Sequence, residues 1–160
     1  MCIRDSSKAH SDLVVVHIDA HTDTYRGDGN QDYMRFNVAT TFTRAAEEAL
    51  IDVESSIHVG ARGPTNDSGV FNHTRDVGYG LIDSTELFNA GLRNTAKNIV
   101  ESLKGRSVYL CFDMDFFDPS CAPGVCTPTW GGATSREGLD FLQNLTCLLY
   151  TSDAADDRLS

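Results

Sequence analysis

No stretch of this 160-residue sequence approaches the roughly 20 consecutive apolar residues that a membrane-crossing helix needs, and no charged-then-apolar leader opens it. The expectation is a soluble, cytoplasmic protein. Basic residues are also scarce: 13 Lys and Arg face 23 Asp and Glu, a formal charge of −10. That balance argues against a nucleic-acid groove or an anionic membrane surface and suits a cationic substrate. The five cysteines include no Cys-x-x-Cys pair, so a zinc knuckle and a dithiol redox centre are both disfavoured, and reduced thiols are expected. Nothing in an ordinary composition of 41% hydrophobic and 22% charged residues suggests disorder, and the chain is long enough for one domain with a core.

Within those limits the chain alternates between two periodicities. Leu13 to Ile18, Ser56 to Ala61 and Ser107 to Asp113 are short, largely apolar and β-branched runs of the kind buried on both faces of a parallel sheet. Between them the pattern turns helical. A helix is predicted from about Ser84 to Lys104, opened by a capping box at Asp83 and Glu86, with Phe88, Leu92, Ala96, Ile99 and Leu103 on one face and Gly105 as the stop. It would connect a short extended segment at Gly80 to Ile82 with the strand at Ser107. Further helices are expected over about Thr40 to Leu50 and from Thr134, where Glu137 repeats the capping-box spacing. This order implies an α/β fold, a three-layer sandwich with a mostly parallel sheet, whose ligands bind beyond the carboxyl ends of the strands.

Two acidic motifs fall at such ends: Asp19-Ala20-His21-Thr22-Asp23 after the first strand and Asp113-Met114-Asp115 after the last. Alternate residues of an extended segment point the same way, so each motif should converge its ligands on one crevice. Four carboxylates and an imidazole in one place need a cation to hold them. The donor set suits Mn²⁺ or a similar divalent ion better than Ca²⁺ or thiolate-bound Zn²⁺. Five ligands are many for one ion, and a bridged pair roughly 3.5–4 Å apart is the sharper expectation. Beyond the second motif, the segment from Asp118-Pro119 to Gly132 packs prolines and glycines into a rigid loop suited to shaping a pocket. His17 and His58 lie inside predicted strands and read as hydrogen-bonded core residues, whereas His10 and His73 read as loop histidines.

Three blocks, VVVHIDAHTDTY from Val14, SIHVGAR from Ser56 and YLCFDMDFFDPSCAPGVCTPTWGG from Tyr109, resemble the ureohydrolases, the arginase and agmatinase family of dinuclear manganese enzymes, and look closest to the agmatinase branch. The resemblance covers residues 13–145. It implies an arginase/deacetylase-like fold and two Mn²⁺ ions that serve to cleave a guanidino group to urea and an amine. By motif position Asp19 and Asp113 would bridge the ions, His21 and Asp115 would ligate one of them, and Asp23 would ligate the other. Asp23 would also act catalytically by handing a proton to the departing amine, and Thr127 would meet the guanidinium of the substrate. The partner implied is a small cationic guanidino compound such as agmatine, and the complete protein would be a homo-oligomer.

Departures from the family pattern accompany these expectations. The family's upstream Gly-Gly-Asp-His segment and downstream glutamate strand have no counterpart here, so the fold is expected to be incomplete at both ends and the 160-residue chain alone to be inactive. Residues 1–12 are set apart as an unmatched segment, and 1–7 and 146–160 read as artefactual ends. Val38 stands where agmatinases carry a histidine close to the substrate. This leaves open a pocket reshaped for another guanidino substrate, or a metal-binding relative without turnover. Trp130 is read either as an aromatic wall for a cation or as a structural residue. A Mg²⁺-dependent phosphatase or glycosyltransferase would explain Asp113 and Asp115 but not the first motif.

Overall fold

β-Branched residues at Val14, Val15, Val16 and Ile18 make the central strand of the molecule, and all five residues of β1 (Val14–Ile18) are buried. In this computed structural model, residues 3–27, 35–63, 65 and 69–150 are described, the last three by backbone alone; residues 151–160 of the tail lie outside them. Three further strands pair in parallel with β1, namely β2 (Ile57–Ala61), β3 (Gly80–Asp83) and β4 (Val108–Phe112), in the spatial order β3-β2-β1-β4. The expected parallel α/β sheet is therefore observed. In the register, His17 lies opposite His58 and Cys111.

Helices cover both faces, as the alternation of β1 requires. Val14, Val16 and Ile18 face a core built with Leu87, Phe116 and Phe141. Leu13 and Val15 face the other way, toward Ile3, Phe42, Ala45 and Tyr79. The second layer is made by α1 (Ile3–Ala9) and α2 (Thr41–Glu47), the latter entered through a 3₁₀ turn at Val38–Thr40. Segment 1–12 thus contributes a helix whose Ile3 is buried and whose Arg4 bonds Glu48. α3 (Val70–Val77) precedes β3 and carries His73, which is a helical residue and not a loop histidine.

The long helix expected from Ser84 to Lys104 is two helices, α4 (Ser84–Ala90) and α5 (Leu92–Ser102). Gly91 sits at φ +83°, outside the helical region, and the chain turns there. The break changes the buried face: Leu87 is fully buried and Phe88 is exposed. The capping box at Asp83 and Glu86 forms as expected. A second one forms between Thr134 and Glu137 at the start of α6 (Ser135–Tyr150).

Candidate metal centre

The two acidic motifs meet at the carboxyl ends of β1 and β4, but not by the alternation of an extended chain. β1 ends at Ile18, and Asp23 adopts a left-handed conformation with φ +50°. Each motif instead closes an Asx turn, in which the leading carboxylate accepts the amide two residues on. Asp19 Oδ1 accepts from His21 N at 2.6 Å, and Asp113 Oδ1 accepts from Asp115 N at 2.8 Å. The second turn opens a short 3₁₀ helix at Met114–Phe116. Convergence therefore comes from local carboxylate-to-amide bonds that the strand pattern does not encode.

Asp19 is the centre of the cluster. Its Oδ1 lies 3.2 Å from His21 Nδ1, which is also 3.0 Å from Asp115 Oδ2. Its other oxygen meets His17 Nε2 at 3.0 Å. Among the described residues two sets of ligand atoms result, each lying within 4.8 Å of one another: Asp19, His21 and Asp115, and Asp19, His17 and Asp23. Asp19 belongs to both. Asp113, more exposed, is in neither, but it lines with Asp19 and Asp23 the cavity of about 580 Å³ that opens over the cluster.

Burial and charge set the proton affinities. Burial alone would raise the pKa of Asp19, but the hydrogen bonds from His17 and His21 outweigh it and hold the carboxyl well below its usual range. His21, bonded by Asp115 and then Asp19, is pushed up to about 10. Asp23 is pushed up to about 6, chiefly by burial, and Asp113 is raised by the same cause. His21 Nδ1 thus lies between two carboxylates, where cationic charge is favoured. Oxygen and imidazole donors without a thiolate suit a divalent ion such as Mn²⁺, and a carboxylate shared by two ligand sets suits two of them.

Other side chains hold this arrangement in place. Thr22 and Thr24, on either side of Asp23, are buried and form a triangle of hydroxyls with Thr74 of α3. Thr74 also donates to Val70 O, and the amide of Phe42 bonds Asp23 O. Asp115 is fixed by the Ala20 amide at 3.1 Å and by the Thr127 hydroxyl at 3.1 Å. Thr127 is therefore beside the cluster and exposed. Val38, 83% exposed, lines the cavity mouth with Phe36 and Asn37, while Trp130, 81% exposed, is not among the cavity-lining residues.

Two participants escaped the sequence reading. Arg62, directly after β2, is buried and donates to the carbonyl oxygens of Gly60, Asp115, Phe117, Thr129 and Trp130, tying the second motif to the loop beyond it. Gly132 lets it approach, because a Cβ there would collide with Arg62 Nη2. The other is His17, a buried hydrogen-bonded residue as expected, but one that touches Asp19 as well. An isolated Arg in a Gly-rich stretch and a His within a strand carry no local signal of such roles.

The model of the arginase family matches residues 1–154. The chain belongs to the arginase family. Among its relatives in that family are the guanidinobutyrase of Pseudomonas aeruginosa, 32% identical over 144 residues, which are 88% of this chain and 43% of that protein. The agmatinase of Neisseria meningitidis serogroup B is 32% identical over 91% of this chain and 43% of its own length. The solved structure of proclavaminate amidinohydrolase from Streptomyces clavuligerus superimposes with a TM-score of 0.79 at 35% identity, covering 89% of this chain and 46% of the other. The chain spans less than half the length of these arginase-family relatives. The arginase fold of the sheet and its flanking helices is shared with them.

Proposed function

We propose that the complete protein hydrolyses the guanidino group of a small cationic compound, agmatine or a similar molecule, to urea and an amine, and that it does so with two Mn²⁺ ions. The observation that carries this reading is the double membership of Asp19 in two ligand sets. His21 and Asp115 would hold one ion with Asp19, and Asp23 the other, with Asp113 completing the pair from the cavity side. A guanidinium resists attack by water at neutral pH, and the ions would supply a nucleophile of hydroxide strength there. The chain's own carboxylates draw the cationic group to the cavity floor. Asp23 would give a proton to the departing nitrogen, and the Thr127 hydroxyl would orient the guanidinium. An oligomeric, cytoplasmic protein belongs to the same reading.

The names of the relatives point to different tails on the guanidino group: guanidinobutyrate, agmatine and proclavaminate. Urea release by the complete protein with Mn²⁺, measured on agmatine, guanidinobutyrate, guanidinopropionate and guanidine, tests the reading. Turnover of at least one, with two ions bound per subunit, is expected. Val38 at the cavity mouth favours a second reading, a metal-binding relative without turnover, because valine carries no proton. Two bound ions with no urea from any of the four compounds would favour it, and failure to bind Mn²⁺ would overturn both.

A further inference from the structure

Behind Asp19 lies a pair of histidines that the proposed chemistry does not use. His17 and His58 are register partners on β1 and β2, both 1% exposed, and their Nδ1 atoms are 2.9 Å apart. His17 Nε2 is 3.0 Å from Asp19 Oδ2, while His58 Nε2 is buried and without a hydrogen-bond partner among the described residues. Phe42 and Tyr79 pack edge-on against the His58 ring at 5.0 and 4.7 Å, and the Tyr79 hydroxyl donates to Phe42 O instead of to the imidazole.

One proton can occupy the bond between the two Nδ1 atoms, and its owner decides everything else. If His17 owned it, as a metal ligand through Nε2 or as an imidazolium, His58 Nδ1 would accept and the His58 proton would sit on Nε2. That is a buried N–H with no acceptor, the rarest kind of orphan in native proteins. If His58 owns it, His58 Nε2 keeps only a lone pair, a milder deficit. His17 Nδ1 then accepts, and its own proton lies on Nε2, aimed at the Asp19 carboxylate. Burial, which holds the His58 pKa well below its usual value, agrees with a neutral ring there.

We infer that His58 sets the tautomer of His17, so that His17 acts as a positioning residue that donates Nε2–H to Asp19 and is not itself a metal ligand, although its nitrogen lies within ligand distance of Asp19 and Asp23. The inference rests on reading Asp19 as the carboxylate shared between the ions. The relay fixes one oxygen of Asp19 from the protein side and leaves the other to the cavity cluster. Losing an outer bond of this kind typically weakens metal binding 10- to 100-fold.

Long-range ¹⁵N–¹H correlation spectra of the histidine-labelled, metal-free protein read the tautomers directly. Nε2–H on His17 and Nδ1–H on His58 are expected; Nδ1–H on His17 would overturn the inference whatever the metal does. Mn²⁺ titration followed by electron paramagnetic resonance supplies the second arm. His17→Gln, whose amide nitrogen replaces Nε2 as a donor, should keep affinity within a few-fold, while His17→Leu should lose about 10- to 100-fold. Equal losses in the two variants would identify His17 as a ligand and refute the donor role. If the wild-type protein bound no Mn²⁺ at all, the proposed function would fall, and the spectra would still decide the tautomers.

Discussion

Asp19 and Asp113 occupy equivalent places, each one residue past a parallel strand and each accepting the amide two residues on, yet their surroundings differ sharply. β1 is the inner strand with partners on both sides, and Asp19 is 4% exposed, bonded by His17 and His21 and followed by a loop pinned through three threonines. β4 lies at the edge of the described sheet, its residues are all half-buried, and Asp113 is exposed. The same local motif is thus a buried, multiply bonded carboxylate in one place and a rim group in the other. Position in the sheet, more than the motif itself, sets how tightly a carboxylate is held.

The largest test of this contrast is substitution of the two leading carboxylates. Asp19→Asn should weaken Mn²⁺ binding beyond the roughly 10–100-fold typical of an outer-contact loss, because both ligand sets lose a member, and Asp113→Asn should weaken it less. Calorimetric titration of both variants checks the order, and equal losses would erase the distinction.

The next effect is on pH. His21, raised to about 10 from an ordinary 6.5, stabilises the metal-free fold fully below pH 6.5, and that contribution is lost as pH rises toward 10. Asp19, depressed, contributes above about pH 4 and loses its contribution only in acid. Thermal unfolding in a chelator should therefore show stability falling by several kcal/mol at most between pH 6.5 and 10. Saturating Mn²⁺ should flatten the profile, since binding displaces the His21 proton and tightens with rising pH. A profile that is flat without metal would contradict the proton-sharing geometry.

Asp23 offers an opposite sign. Its pKa, raised to about 6, means that the buried charge weakens the metal-free fold above that pH, so Asp23→Asn should raise metal-free stability at pH 7.5 by roughly 2–3 kcal/mol while lowering Mn²⁺ affinity. Denaturant unfolding with and without the ion separates the two effects. Smaller still are the hydroxyl supports. Thr74→Val leaves Thr22 and Thr24 bonded only to each other, so that one of these buried hydroxyls loses its acceptor, and should cost about 1–3 kcal/mol. Thr127→Val removes a part-buried bond to Asp115, which keeps the Ala20 amide, and should cost about 0.5–1.5 kcal/mol. Comparable costs at the two threonines would mean that both motifs are equally braced.

Strands β1, β2 and β4, both capping boxes and the placement of the acidic motifs at strand ends were legible in the sequence because each depends on residues a few positions apart. Gly91 was not, since one glycine inside a helical period is compatible with a continuous helix until the packing of α4 and α5 decides otherwise. His73 was misplaced for a related reason: its helix is short, and Thr74 and Val70 are its buried members. Alternation also misdescribed the first motif, because Asp23 has a left-handed backbone and its neighbour Thr24 is held by a hydroxyl fifty residues away, that of Thr74. Arg62 and the His17–His58 pair share that limitation. A buried polar residue is defined by its partners, and most of these lie far away in the sequence.

The saturation of Arg62 by carbonyl oxygens has a consequence for selectivity. A guanidinium side chain lies behind Asp115, beside an acidic cluster proposed to take guanidinium groups, and an arginine free to reach Asp19 or Asp23 would be an internal competitor for the proposed substrate. Three nitrogens engaged by five backbone oxygens keep Arg62 from that role. The protein thus carries the functional group it is proposed to recognise, tethered where it braces the backbone of the second motif.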